Sequence, residues 1–296
     1  MGVLADNGMS NMPKMKFVDP LSCSSLRVEP FFQEHPLATA TGFTVVVGER
    51  WYLITNWHVV SGRDADTGAC LDRNAAIPDR LVVWFHQKSA LGAWRSVNIS
   101  LLSNEGARLW KEHPLGSKVD VVAIPLDVPA DVAIYPLDLS LAHTDMRIAP
   151  AMPVSVVGFP LGLRAGENWP IWKTGHVASD PDIDFQPGRP AFLIDATTRS
   201  GMSGAPVVVR VSSGYLNKAG HQIIGGGVIT KFVGVYAGRI HNGSEIGRVW
   251  RPFVIQEVLS GRMLFNEDTD RATPSRNEAC PCGSGNRFKH CCGQLP

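Results

Sequence analysis

The sequence predicts an all-β protein: two six-stranded β-barrels in tandem, followed by one helix and a small cysteine-rich module. Three observations lead there. Short runs dominated by Val and Ile recur along the chain, separated by Gly, Pro, Asp or Asn, the pattern of β-branched strands joined by turns. Helical periodicity is scarce, and the strands do not alternate with helices as they would around a parallel sheet. The runs also fall into two groups, divided around residues 140–150, each large enough for one barrel.

In chain order, residues 1–34 read as an N-terminal extension. The first barrel, residues 35–145, takes GFTVVVG (42–48), WYLITN (51–56), LVVWFH (81–86) and VDVVAIPL (119–126). LAHTDMRIAP reads as the connection to the second barrel, residues 146–262. That barrel takes PVSVVGF (153–159), PIWKTGHVA (170–178), AFLID (191–195), PVVVRV (206–211), IIGGGVI (223–229) and KFVGVYAG (231–238). VWRPFVIQEVLSG (249–261) has the pattern of one terminal helix stopping at Gly261. The composition then turns polar through NEDTDRATPSRNEA (266–279), so residues 263–278 read as a linker and 279–296 as a separate module.

Composition narrows the class further. The 296 residues are 44% hydrophobic and 19% charged, enough for ample cores. A formal net charge of +1 offers no footprint for nucleic acid or an anionic membrane. No apolar run has the length of a membrane span, and the N-terminus lacks the basic-then-apolar order of a secretory signal. The expectation is a cytoplasmic protein without nucleic-acid or membrane partners. Of six cysteines, Cys23 and Cys70 stand alone and read as reduced thiols. Cys280, Cys282, Cys291 and Cys292 crowd together at the C-terminal end, which points to metal rather than to a disulfide framework.

The stretch TTRSGMSGAP (197–206) sets Ser203 between glycines at the mouth of an apolar strand. A tight turn would suffice to explain Gly and Ser there. A nucleophile would need more: a base near neutral pKa and a carboxylate to orient that base. Among nine histidines, His58 stands out at a strand-to-helix corner, between WYLITN and WHVV. Asp120 is an acid inside the β-branched run VDVVAIPL, where charge is costly without a partner. Asp195 in FLIDATT competes for the role, but only eight residues separate it from Ser203, so it reads as support for that loop. Gly201 permits an inward-turned N–H beside that of Ser203, two donors suited to an oxyanion.

TNWHVV, VDVVAIPL and GMSGAP, in the order His–Asp–Ser, resemble the three signature segments of the trypsin-like (chymotrypsin-fold) serine peptidases. The similarity is to the bacterial branch that includes the HtrA proteases and glutamyl endopeptidases, over roughly residues 35–260. It implies a double barrel with His58, Asp120 and Ser203 as a catalytic triad between the barrels, acting on protein or peptide substrates. A catalytically idle barrel serving as a binding or adaptor protein is the alternative. Met202 stands where digestive members carry an Asp that pairs with a newly cut N-terminus, so activation by that ion pair is not expected.

Alignment on GMSGAP places Thr197 at the base of the substrate-binding pocket with Thr198 beside it, and Tyr236 and Gly238 in its wall. Thr197 supplies no carboxylate, so Lys and Arg are not expected as preferred residues before the scissile bond. That position is otherwise left open. CPCGSGNRFKHCC is similar to the SEC-C motif at the C-terminus of the bacterial preprotein-translocating ATPase. The resemblance implies one structural zinc ion held by Cys280, Cys282, Cys291 and Cys292, with no open position for chemistry. It also implies docking to chaperones or ribosomes.

Overall fold

The computed structural model describes residues 17–241, 243–264, 277–279 and 285–290. Six strands of four residues or more build the N-terminal half: β1 (Ser25–Phe32), β2 (Ala40–Val47), β3 (Arg50–Thr55), β4 (Arg80–Gln87), β5 (Ala90–Ser100) and β6 (Val122–Pro125). They pair in the order β5-β4-β1-β2-β3-β6, with the short strand Lys111–Glu112 on the outer edge of β6. Among the described residues no hydrogen-bonded return closes this sheet. The C-terminal half has six strands too: β7 (Pro153–Gly158), β8 (Ile171–Val177), β9 (Ala191–Asp195), β10 (Pro206–Val211), β11 (Ile229–Arg239) and β12 (Ile246–Trp250). These close into a barrel in the order β7-β8-β9-β12-β11-β10.

The strands form where alternation or a continuous apolar run gives them a face to bury. In β4, Leu81, Val83 and Phe85 are buried while Arg80, Val82 and Trp84 are partly exposed. Those side chains join Leu26, Val28, Leu53 and Ile124 in the core of the first sheet. Val154, Val156, Ile194, Val207 and Val209 fill the second barrel. A third cluster lies between the halves: Phe43, Val45 and Ile54 from the first sheet meet Val208, Phe232 and Trp250 from the barrel. The helix α3 (Phe253–Ser260) seals it with Val254, Ile255 and Val258. Two shorter helices, α1 (Pro20–Ser24) and α2 (Trp57–Ser61), precede β1 and follow β3.

Several boundaries differ from the sequence reading. Residues 25–32, expected within an extension ending at residue 34, are β1 and sit mid-sheet, paired with both β2 and β4. Arg27, Glu29 and Pro30 interrupt its apolar pattern; Arg27 and Glu29 pair with each other along the strand. β5 was not expected either: of its residues only Val97 is buried. Of IIGGGVI, only Ile223 and Ile229 fall in strands, because Gly225, Gly226 and Gly227 have no packing partner to hold them extended. The terminal helix begins at Phe253 rather than Val249, since Val249 and Trp250 are claimed by β9 through Phe192 and Ala191.

Candidate active site

The strand β3 runs buried to Thr55 and turns directly into α2, which raises His58 at the corner. The side chain of Asn56, at the N-cap, does not bond the helix. Its Nδ2 instead donates to the backbone carbonyl of Asp120 at 2.6 Å. Asp120 lies just before β6, and β6 pairs with β3, so sheet register brings it alongside the corner. Its Oδ1 accepts the His58 backbone N–H at 2.9 Å, and its Oδ2 lies 2.7 Å from His58 Nδ1. Asp120 is 3% exposed. Burial of the imidazole works against its charge, but the Asp120 carboxylate, with a smaller contribution from Asp64, outweighs it. The His58 pKa therefore stands above its ordinary value.

Ser203 enters from the loop between β9 and β10. Gly201 adopts φ +95°, and a Cβ there would lie 2.2 Å from the Phe159 carbonyl oxygen. Gly204 adopts φ +84°, and a Cβ there would lie 2.1 Å from the Thr41 carbonyl oxygen. Only glycine fits either place. The N–H of Met202 bonds Arg199 O at 3.2 Å and that of Gly204 bonds Tyr236 O at 2.8 Å. Among the described residues, the N–H groups of Gly201 and Ser203 have no such acceptor, and both residues line a cavity of about 700 Å³. His58 and Asp120 line the same cavity. The Ser203 hydroxyl and His58 Nε2 share it without a direct hydrogen bond between them.

Two residues that sequence reading did not single out position the site, one at the serine loop and one at the His58 corner. Thr41, fully buried on β2, donates from Oγ1 to Gly201 O at 2.7 Å and accepts at Oγ1 from the Phe159 N–H at 3.2 Å. Its own N–H donates to Ser203 O at 2.8 Å, and its carbonyl accepts from Thr55 Oγ1 at 2.8 Å. Nothing in TGF marks that threonine. Asn56, in TNWH, is the second; its position next to the corner was the only available signal.

The residues expected to frame the substrate pocket are not all at the cavity. Gly238 lines it, together with Ala237 and Arg239. Thr198 and Tyr236 lie beneath, 0% and 1% exposed, hydroxyl bonded to hydroxyl. Burial lifts the Tyr236 phenol to about 12 against the opposing Thr198 bond. Side chains alternate along a strand, so Tyr236 faces the barrel core and occupies what would be pocket space. Thr197 is exposed outside the cavity. Asp195 is exposed at the end of β9, opposite His176, away from the cavity lining. Asp66 lines the cavity and pairs with Arg189 and Arg248 of the barrel, tying the loop after α2 across the cleft. Burial raises the Asp66 carboxyl, but the two guanidiniums prevail and hold it below the usual range.

A buried carboxylate on an imidazole, a hydroxyl in the same cleft and two unengaged N–H groups are the parts of acyl-transfer chemistry. A family model for the trypsin-like peptidase domain matches residues 40–214, more than half of the chain. The chain belongs to the trypsin-like peptidase family. The matched peptidase domain is predominantly β. A SEC-C motif model matches residues 276–294. The chain is 71% identical over 21 residues to protein translocase subunit SecA of Nitratiruptor sp.. It is 54% identical over 37 residues to a UPF0225 protein of Enterobacter sp.. These matches cover 7% and 12% of this chain but only 2% and 24% of the relatives' own lengths. Among solved structures, the active form of the Rv3671c protease from M. tuberculosis is 16% identical, with TM-score 0.46, over 86% of this chain and 84% of that one. The HtrA-type protease AlgW with tripeptide is 14% identical at TM-score 0.46, over 81% of this chain and 60% of its own. A serine endoprotease from Yersinia pestis is 13% identical at TM-score 0.45, over 81% and 62%.

The four cysteines expected to bind metal lie outside the described residues. Of the module, the structure describes an antiparallel bridge between Ala279 and Arg287, a bond from the Phe288 N–H to Glu278 O at 2.8 Å, and a short helix Phe288–His290. Cys23 and Cys70 are free thiols. Among the described residues no helix is long and apolar enough to cross a membrane.

Proposed function

We propose that this peptidase is an endopeptidase working through Ser203, His58 and Asp120. His58 removes the Ser203 proton as the hydroxyl oxygen attacks the substrate carbonyl, then returns it to the leaving amine. Asp120, bonded to Nδ1, keeps Nε2 free to accept that proton and stabilises the imidazolium that forms. The N–H groups of Gly201 and Ser203 receive the oxyanion. Water then releases the acyl group by the same exchange in reverse. The Ser203–His58 contact tightens when substrate fills the cleft, as such bonds commonly do. The observation that supports this best is the shared cavity: the bonded His58–Asp120 pair, the Ser203 hydroxyl and two unengaged N–H groups meet there. A fluorophosphonate probe should label Ser203 in the native protein and fail in Ser203→Ala and His58→Ala. Failure to label the native protein would favour a binding role over catalysis.

Lys and Arg are poor residues before the scissile bond on this reading. Arg239 lines the cleft beside Gly238, Arg248 is paired with Asp66, and Tyr236 with Thr198 closes the space beneath without a carboxylate. A peptide library should show Lys and Arg as poor residues at that position. A profile dominated by them would overturn this.

The C-terminal module is proposed to hold one structural zinc through Cys280, Cys282, Cys291 and Cys292, and to dock the enzyme on chaperones or ribosomes in the cytoplasm. Four thiolates fill a tetrahedral set, and the described part of the module pairs Ala279 with Arg287. Zinc there would give a segment too short for its own core a reason to fold. It supplies nothing to the peptidase chemistry.

A further inference from the structure

The barrel has a second cavity, of about 790 Å³, on residues the peptidase chemistry does not use. It opens between the connection that precedes β7, the loop at 181–184 and the start of α3. That volume lies in the range of small-molecule sites. Its lining is largely apolar: Phe192, Phe232 and Val233 close it below as buried core residues, Leu139 and Ile148 are partly exposed, and Ile183, 66% exposed, stands at the rim. Its charge is one-sided. Arg147, Lys218, Lys231 and Arg251 line it against two carboxylates, Asp182 and Asp184. Asp184 is already spent on Arg251.

Lys231 is the group that this cavity has to explain. It is 8% exposed, on a strand whose neighbours are core residues. No carboxylate bonds it directly, although Asp145 and Asp182 act on its charge from farther off. Its Nζ donates to the carbonyl of Thr144. An ammonium has three donors, so two remain for the cavity. An unpaired buried charge is costly and is kept where something meets it.

We propose that this cavity binds a small amphiphilic monocarboxylate, its carboxylate on Lys231 and its apolar body against Leu139, Ile148 and Ile183. One buried ammonium with two open donors matches the two oxygens of a carboxylate. The nearby Asp182 disfavours a dianion such as a phosphate monoester. Burial and the neighbouring Lys218 draw the Lys231 pKa down to about 8, so a bound anion would also restore the charge that burial opposes. The same strand, β11, carries Lys231 to Val233 at this cavity and Ala237 to Arg239 at the active-site cleft. Occupancy of one therefore bears on a structural element shared with the other.

The test is independent of catalysis. Decanoate is titrated calorimetrically into full-length Ser203→Ala protein, below its micelle-forming concentration and at low ionic strength. Saturable binding at one site per chain is expected, with decyltrimethylammonium at least tenfold weaker. Lys231→Met, which keeps the stem and removes the charge, should weaken decanoate at least tenfold. Gln256→Trp, placed on an exposed position of α3 at the cavity wall, should block binding even if Lys231→Met folds poorly. Absence of saturable binding, equal affinity for the cationic amphiphile, or wild-type affinity in Gln256→Trp would each overturn the proposal.

Discussion

Asp120 and Thr41 show how single side chains set this site. Because Asp120 outweighs burial at His58, the imidazole holds its proton to higher pH than a free one. The protonated ring cannot act as base, so kcat/KM should rise with pH through an inflection above the ordinary imidazole value. In Asp120→Asn that inflection should move down while the plateau falls by several orders of magnitude. The stability sign is opposite: the charged pair contributes below the unfolded His pKa, and its contribution fades as pH rises through the folded one. A pH–rate profile with the inflection unmoved in Asp120→Asn would separate Asp120 from the base. Thr41 is a positioning residue. Its hydroxyl fixes the Gly201 peptide, so Thr41→Val should lower kcat by about tenfold to a hundredfold with KM little changed. It should also lower the melting temperature modestly, since the Phe159 N–H loses its acceptor. Thr41→Ser should restore most of kcat. Equal losses in KM and kcat, or no rescue by serine, would reduce Thr41 to a packing role.

At the scale of elements, α3 is held by more than its apolar face. His113 Nε2 lies 2.7 Å from Glu257 Oε2, both fully buried, and Glu257 Oε1 accepts the Leu264 N–H at 2.7 Å. Removing one partner of such a pair leaves the other stranded, so Glu257→Ala should cost about 3–5 kcal/mol in a denaturant titration at unchanged m-value. The double change His113→Leu with Glu257→Leu should cost clearly less. A loss from the double change as large as from the single one would show that packing, not the pair, governs the site. Neither residue was readable from sequence, because 144 positions separate them and each sits in an ordinary context. The same distinction explains what was legible elsewhere. Strands such as PVVVRV bury a continuous apolar run and announce themselves. β1 and β5 keep polar residues on a partly exposed face and do not. His58, Asp120 and Ser203 were readable because each breaks a local rule: a His at a strand corner, an acid in an apolar run, a Ser between glycines. Tyr236 beneath the cleft was not placed correctly, since strand alternation decides which face it takes only once the bulge between Tyr236 and Gly238 is known.

The proposed chemistry and the proposed docking fall on different parts of the chain. The cleft is assembled across both halves: His58 and Asp120 come from the first sheet, Ser203 from the barrel, and Thr41 and Asp66 bond one half to the other. The cluster between the halves is closed by α3, and Met263, 6% exposed, is buried just beyond it. Every group proposed for chemistry therefore lies at or before Leu264. The bridge and hydrogen bond described for the module join its own residues, Ala279 with Arg287 and Glu278 with Phe288. A chain ending at Leu264 should hydrolyse a peptide substrate within about twofold of the full-length rate, as expected when no transition-state contact is removed. Full-length protein should contain one zinc per chain by elemental analysis, and the truncated form none. Chelation should expose the four tail thiols to a thiol reagent while turnover continues, because a site with four protein ligands leaves no position for water or substrate. Partner capture from ribosome or chaperone preparations should be lost with the tail. Zinc retained by the truncated chain would place the metal elsewhere in the fold. Turnover lost together with the tail would mean that the module completes the active site rather than delivering it.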